Sequence, residues 1–121
     1  MQEYFTGRFI EVKAGSANSD LILIAKLTKP GVADPGAPGQ AYFDKASIRV
    51  VKLLKGETKE KELEIAYTCQ KLPESRAEKE PETGGTFIFF LESRNDKTLK
   101  AIKILRATDD NVEQVTQALE D

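Results

Sequence analysis

Five segments of the chain carry the apolar patterns that are typical of β-strands. Residues 21–25 form a continuous apolar run, which predicts a strand that is buried on both faces. Residues 62–67 alternate polar with apolar side chains, as a half-buried strand does. The segments 41–54, 86–91 and 99–105 are rich in branched and aromatic residues. We therefore predict that these segments are strands, in an order dominated by antiparallel neighbours.

The segment 41–54 is long for a strand, because strands in globular proteins usually have about three to ten residues. Its length predicts a bend at a β-bulge, with the apolar side chains changing face midway. We expect one face to carry Ala46, Ile48 and Val50, and the other face to carry Val51 and Leu53.

Two polar stretches predict long loops between the strands. The stretch "PGVADPGAPG" at 30–39 is a loop by composition. Residues 70–85 are polar, charged and interrupted by prolines, and a loop of this length is often functional. Lys55-Gly56 is expected to be a turn with the glycine at positive φ. The alternative, half of a phosphate cradle, lacks the flanking glycines and the Ser or Thr of a P-loop.

The pattern predicts a helix at the C-terminus and leaves the N-terminus open. Three apolar residues recur at helical spacing: Val112, Val115 and Leu119. We expect a helix over 108–120 that is capped by Asp109 or Asp110. Residues 4–17 are consistent with a strand in their first half, or with a short helix that ends near Gly15.

Composition restricts the chain to one small domain with little catalytic equipment. The 121 residues carry a net charge of −2, with 18 basic and 20 acidic residues mixed along the chain. This balance argues against nucleic-acid binding, which normally needs a basic face. The chain has no histidine and one cysteine, which excludes Ser-His and Cys-His pairs, most zinc sites and an intrachain disulfide. We therefore expect no enzyme activity, no cofactor and no metal.

Two candidate sites compete with simpler structural interpretations. Cys69 could be a reactive thiol activated by Lys71 or Arg76, but a free cysteine is more often a small buried hydrophobe. Asp109 and Asp110 could hold a calcium ion together with either Asp96 or Glu92. Helix capping explains the first two better, and the spacing of an EF-hand loop is absent.

Aromatic residues cluster in two of the predicted strands and could form a surface on which bases stack. These residues are Tyr67, Phe87, Phe89 and Phe90. Alternate residues of a strand face opposite sides, however, and a core of this size needs most of these rings. A base-stacking surface is therefore the alternative interpretation.

Taken in order, the strand segments resemble the netrin-like domain, and most closely the N-terminal domain of the tissue inhibitors of metalloproteinases. The matching stretches are "NSDLILIAKL" at 18–27, "IRVVKLLKG" at 48–56, "ELEIAYT" at 62–68, "GGTFIFFLES" at 84–93 and "KTLKAIKIL" at 97–105. The resemblance covers most of residues 18–106 and is strongest to bacterial envelope or secreted proteins. It implies a mainly β fold, a five-stranded OB-type barrel with a C-terminal helix.

The resemblance also implies a domain organisation and a location. It divides a single domain into an N-terminal segment 1–17, a barrel 18–106 and a helix 108–120. It implies an extracytoplasmic location, periplasmic, cell-surface or secreted, although composition alone leaves a cytoplasmic location open. No apolar stretch approaches the length that spans a membrane.

The animal inhibitors chelate the zinc of a protease through an N-terminal cysteine, and this chain begins Met1-Gln2-Glu3. Metalloproteinase inhibition therefore does not carry over with the resemblance. What carries over is a non-enzymatic binding domain for a protein partner, with contacts made by loops 28–40 and 68–85 at the barrel rim. The expected contact residues are Tyr42, Phe43, Thr68, Cys69, Leu72 and Arg76. The alternative function is an OB-fold protein that binds single-stranded nucleic acid.

Overall fold

A computed structural model of the chain describes residues 12–35, 40–70, 83–93 and 99–120. The elements are α1 (Val12–Asn18), β1 (Leu21–Lys29), β2 (Val32–Pro35), β3 (Gln40–Lys55), β4 (Glu62–Gln70), β5 (Thr86–Ser93), β6 (Leu99–Arg106) and α2 (Asp109–Glu120). The fold is mainly β with a C-terminal helix, as the sequence predicts. The described part of the ambiguous N-terminal segment is the helix α1, and residues 4–11 lie outside the described residues.

Five of the strands close into a ring. β1 pairs antiparallel with β3 on one side and with β5 on the other. β3 continues to β4, and β5 continues to β6, again antiparallel. A parallel pairing between β4 and β6 closes the ring, but it joins only Ile65 to Leu99 and Ala66 to Lys100. The ring is therefore uneven, with one short parallel seam, and the predicted dominance of antiparallel neighbours is confirmed.

The prediction of a loop over 30–39 is wrong in part, because β2 lies within it. β2 pairs with residues 41–44 of β3 and makes a sixth strand. Lys29 faces Ser47 and Val32 faces Asp44, so the pairing with β3 continues in register past Pro30-Gly31. The proline and glycine do interrupt the strand. The long partner strand β3 nevertheless supplies hydrogen bonds on both sides of the interruption, and local composition cannot show this.

The predicted bulges in β3 are confirmed, and they correct the expected faces of the strand. One register shift lies between Phe43 and Ala46 and contains Lys45, whose φ is 60°. Another makes Val51 an extra residue, because Val50 faces Ala25 while Lys52 faces Ile24. Val51 is 65% exposed, as an unpaired bulge residue can be.

The extra residue Val51 changes which side chains share a face. Ala46, Ile48 and Val50 pack together inside the ring, as predicted. Leu53 packs in the same cluster rather than on the opposite side, so that prediction is wrong. An inserted residue moves every later side chain of the strand to the opposite face. A prediction that alternates faces at every residue does not include this shift.

The apolar side chains form an inner cluster within the ring and an outer cluster beneath the helices. Residues of the inner cluster that are fully buried include Leu23, Ala25, Ile48, Ile65, Tyr67, Phe87, Phe89 and Ile104. The buried residues of the outer cluster are Ile22, Ile88, Phe90, Ile102, Leu105 and Val115. Residues 21–25 of β1 contribute alternately to both clusters, which confirms that this part of the strand is covered on both faces.

Helix α2 begins with a cap that the sequence analysis placed one or two residues too late. The hydroxyl Oγ1 of Thr108 accepts a hydrogen bond from the backbone N–H of Asn111 at 3.2 Å, so Thr108 is the N-cap. Asp109 and Asp110 instead occupy the first turn, where their charge favours the helix dipole. Of the helices in the described ranges, none is long and apolar enough to cross a membrane.

Candidate binding site at the rim

Lys55-Gly56 lies at the end of the ring where β1 begins and β3 ends, and it has a structural role. Gly56 has a φ of 84°, as predicted, and an added Cβ there would collide with the backbone oxygen of Asp20. The Nζ of Lys55 donates a hydrogen bond to the backbone oxygen of Ser16 in α1 at 2.8 Å. A cation in this position satisfies a helix C-terminus. The ammonium group therefore ties α1 to the ring.

Asp20 completes this junction from the other side. Its Oδ2 accepts a hydrogen bond from the backbone N–H of Ser93 at 2.7 Å, and its own N–H donates to the oxygen of Leu91 at 2.9 Å. Three of the motifs in the sequence resemblance, around 20, 55 and 91, thus meet at one place. The side chains of Lys55 and Asp20 form the hydrogen bonds that join α1, β1, β3 and β5.

The opposite end of the strands is the rim, which we define as β2 together with residues 40–44 of β3 and 67–70 of β4. In the backbone register Tyr42 lies between Asp34 of β2 and Thr68 of β4. Ala41 lies opposite Cys69. The rim is a three-stranded extension of the sheet.

The structure brings four of the six predicted contact residues together at the rim. Tyr42 and Phe43 lie on β3, and Thr68 and Cys69 lie on the adjacent end of β4. Leu72 and Arg76 lie outside the described residues. The backbone register therefore places the first four on neighbouring strands. Both interpretations of Cys69, a reactive thiol and a small buried hydrophobe, stay predictions.

The base-stacking surface of the alternative interpretation is not available. Tyr67, Phe87, Phe89 and Phe90 are each at most 1% exposed. Phe87 and Phe89 pack edge to face inside the ring, with centroids 6.0 Å apart and an interplanar angle of 79°. These rings are core residues and cannot contact bases.

The structure also reveals a charged surface that the sequence analysis missed. Lys26 on β1 lies directly opposite Arg49 on β3, and both side chains are exposed on the outside of the ring. Lys29 and Lys52 lie on the same two strands and are also exposed. We call these four residues the basic face. The alternation of each strand was readable in the sequence, but the pairing of β1 with β3 was not.

Over the part of the chain that is described, no group of three or more Cys, Asp or Glu side chains could hold a metal ion. Asp109 and Asp110 lie in α2 and Glu92 lies in β5, while Asp96 is outside the described residues.

No protein-family model matches the chain, and no curated protein matches it either. The resemblance to netrin-like domains thus depends on the quoted motifs alone and stays a prediction.

Proposed function

We propose that this chain is a non-enzymatic, extracytoplasmic binding domain with an OB-type, netrin-like fold, and that it holds a protein partner at the rim. The proposal joins three inferences, about fold, site and location, and each has its own support. The rim carries the proposal, because four of the predicted contact residues, from two separate stretches of the sequence, lie on adjacent strands there.

The strand pairing supports the OB-type part of the proposal. With β2 set aside, the ring strands run first, second, third, fifth and fourth before returning to the first. Antiparallel pairs are joined by one parallel seam between the third and fifth strands. A five-stranded, partly open Greek-key ring of this kind is typical of the OB-fold. The junction at Asp20, Lys55 and Gly56 supports the netrin-like part, because the motif residues have one shared structural task.

The architecture supports binding at the rim. The opposite end of the strands is occupied by the junction with α1, and the helices cover the outer side of β5, of β6 and of the first half of β1, at Ile22 and Ile24. The rim extends away from both. A rigid ring that presents short strands and connections at one end is a common arrangement for recognition surfaces.

Site-specific photocrosslinking tests the rim. A photoreactive phenylalanine analogue placed at Tyr42 or at Thr68 is expected to crosslink the same partner in cell-envelope extracts. Matched positions at Glu57, beside the junction, and Gln114, on α2, are exposed and should not crosslink it. Equal labelling from all four positions would contradict a specific rim site.

Deletion of residues 74–82 provides a second test, because this segment follows the rim end of β4. We expect the deletion to abolish partner capture while the thermal unfolding midpoint stays within a few degrees of the parent. An unchanged set of captured partners would show that this segment makes no contact. Fractionation of cells that carry the native gene with a C-terminal tag tests the location separately.

A further inference from the structure

The basic face gathers positive charge from two strands that are far apart in the sequence. Lys26 and Lys29 lie on β1, and Arg49 and Lys52 lie on β3. The antiparallel register places Lys26 directly opposite Arg49 and Lys29 opposite Ser47. All four basic side chains are exposed, on a part of the outer surface that the helices leave uncovered.

This charge is segregated within a chain whose net charge is −2. Helix α2 has four exposed acidic residues and no basic ones: Asp109, Asp110, Glu113 and Glu120. On β4, Glu62 lies opposite Arg49 and Glu64 lies opposite Ser47, so the basic face ends at an acidic border. Among the residues that the structure describes, the basic face and the acidic helix α2 are therefore separate surfaces, although the sequence mixes its charges.

The pairing of Lys26 with Arg49 is unfavourable for the sheet by itself. Like charges directly opposite each other on antiparallel strands repel, because their Cβ atoms are only about 5 Å apart. Glu62, which lies opposite Arg49 on β4, offsets part of this repulsion. An anion placed over the pair would offset the rest.

Val51 adds an apolar contact to the same surface. It is the bulge residue between Arg49 and Lys52 on β3, and it is 65% exposed. A bulge commonly re-aims a side chain at a functional surface. The surface thus combines several cations with one exposed branched side chain.

We infer that the basic face binds an acidic protein segment that carries an apolar residue among its carboxylates. The cations pair with the carboxylates, and Val51 contacts the apolar residue. This inference goes beyond the proposed function, because no rim residue takes part and the two surfaces can be tested separately.

A protein segment fits the surface better than single-stranded nucleic acid does. Nucleic-acid sites of the OB type combine cations with aromatic rings on which bases stack. The four rings in β4 and β5 that would serve are buried in the core. The surface offers an aliphatic contact instead, which suits a leucine or valine side chain.

Fluorescence anisotropy with a defined probe tests the inference. The probe is a short fluorescein-labelled peptide of glutamates around a central leucine, titrated with the protein at low and at physiological ionic strength. We expect binding that weakens with salt. The variant Lys26→Gln/Arg49→Gln should bind roughly five- to tenfold more weakly.

The matched control is Lys13→Gln/Lys59→Gln, which removes the same charge from two exposed positions outside the basic face and should bind like the parent. The Lys26→Gln/Arg49→Gln variant should be about as stable as the parent in urea, because it removes both the repulsion between Lys26 and Arg49 and the attraction between Arg49 and Glu62. A second variant, Lys29→Gln/Lys52→Gln, removes two charges that do not face each other and should weaken binding similarly.

Equal affinity of the parent and of both basic-face variants would overturn the inference. So would an equal loss in the control variant, which would indicate a non-specific charge effect. Tighter binding of an oligo-dT probe than of the peptide would also overturn it, in favour of a nucleic-acid surface. A loss of peptide affinity that is confined to the basic-face variants would support the inference. These variants should leave the photocrosslinking yield at Tyr42 the same as in the parent, whether or not a partner is found at the rim.

Discussion

The inner and outer clusters are built from different elements of the fold, and a larger share of the residues is buried in the inner cluster than in the outer one. Among the described residues, the inner cluster has twelve that are buried and five that are partly buried, whereas the outer cluster has six of each. The inner cluster is formed by ring strands alone, whose backbones are hydrogen-bonded to one another. The outer cluster depends on α1 and α2, which are joined to the ring by side-chain contacts. We therefore expect the ring to be the rigid part and the helices to be the adjustable part.

The largest difference between the clusters should appear when a buried ring is removed from each. Phe89→Ala empties the inner cluster, where closed strands cannot collapse into the space, and should cost about 3–5 kcal/mol of unfolding free energy. Phe90→Ala empties the outer cluster, where the helices can move inwards, and should cost about 1–2 kcal/mol less than that. Urea denaturation measures both. The reverse order would show that the helices are the more rigid layer.

The junction that ties α1 to the ring can be weakened at Gly56. Gly56→Ala should cost about 2 kcal/mol or more, because it combines a left-handed backbone with a collision against Asp20. Gly84→Ala is the matched control, since Gly84 has a φ of 91° and no atom within 4 Å of an added Cβ. The control should lose about 1 kcal/mol of unfolding free energy, which is the cost of placing alanine in a left-handed backbone conformation. Equal losses would show that the contact with Asp20 contributes nothing.

The attachment of α2 can be weakened at its first turn. Thr108→Ala removes the N-cap hydrogen bond to Asn111 and should cost about 1 kcal/mol. Thr116→Ala is the control, because Thr116 is exposed in the middle of α2 and bonds only within the helix. It should be neutral or slightly stabilising, since alanine is the better helix former. Circular dichroism during thermal unfolding follows both variants.

The smallest effect is expected at the bulge in β3. Lys45→Gly should raise the unfolding free energy by about 0.5–1 kcal/mol, because Lys45 has a positive φ that glycine adopts without strain. Arg49→Gly on the same strand should lower it by about the same amount, since glycine weakens a regular strand. A loss in both variants would indicate that the interactions of the Lys45 side chain outweigh its backbone strain.

Much of the fold could be predicted from local pattern. The alternation at Leu63, Ile65 and Tyr67 places these side chains in the inner cluster, as observed. The continuous run 21–25 is covered on both faces, and Gly56 has the positive φ that its place after a strand suggested. In each case the physical cause acts within a few residues, so a single stretch of sequence contains it.

Apart from the N-cap of α2, the errors occur where a distant strand decides the outcome. β2 forms because β3 is long enough to pair past Pro30-Gly31. Leu53 joins the inner cluster because Val51 is accommodated as a bulge opposite β1. The candidate contact residues of the rim were chosen from two separate loops. Only the pairing of β3 with β4 shows that Tyr42 and Thr68 are neighbours.

The sequence by itself determined the number and position of the ring strands, the terminal helix and the thin inventory of reactive groups. These follow from side-chain periodicity and composition, which need no knowledge of the partner strand. The tertiary structure decided the register, the closure of the ring and the separation of charge into a basic face and an acidic helix. Pairing between distant strands sets these properties, and it brings Lys26 and Arg49 together although 22 residues lie between them in the chain.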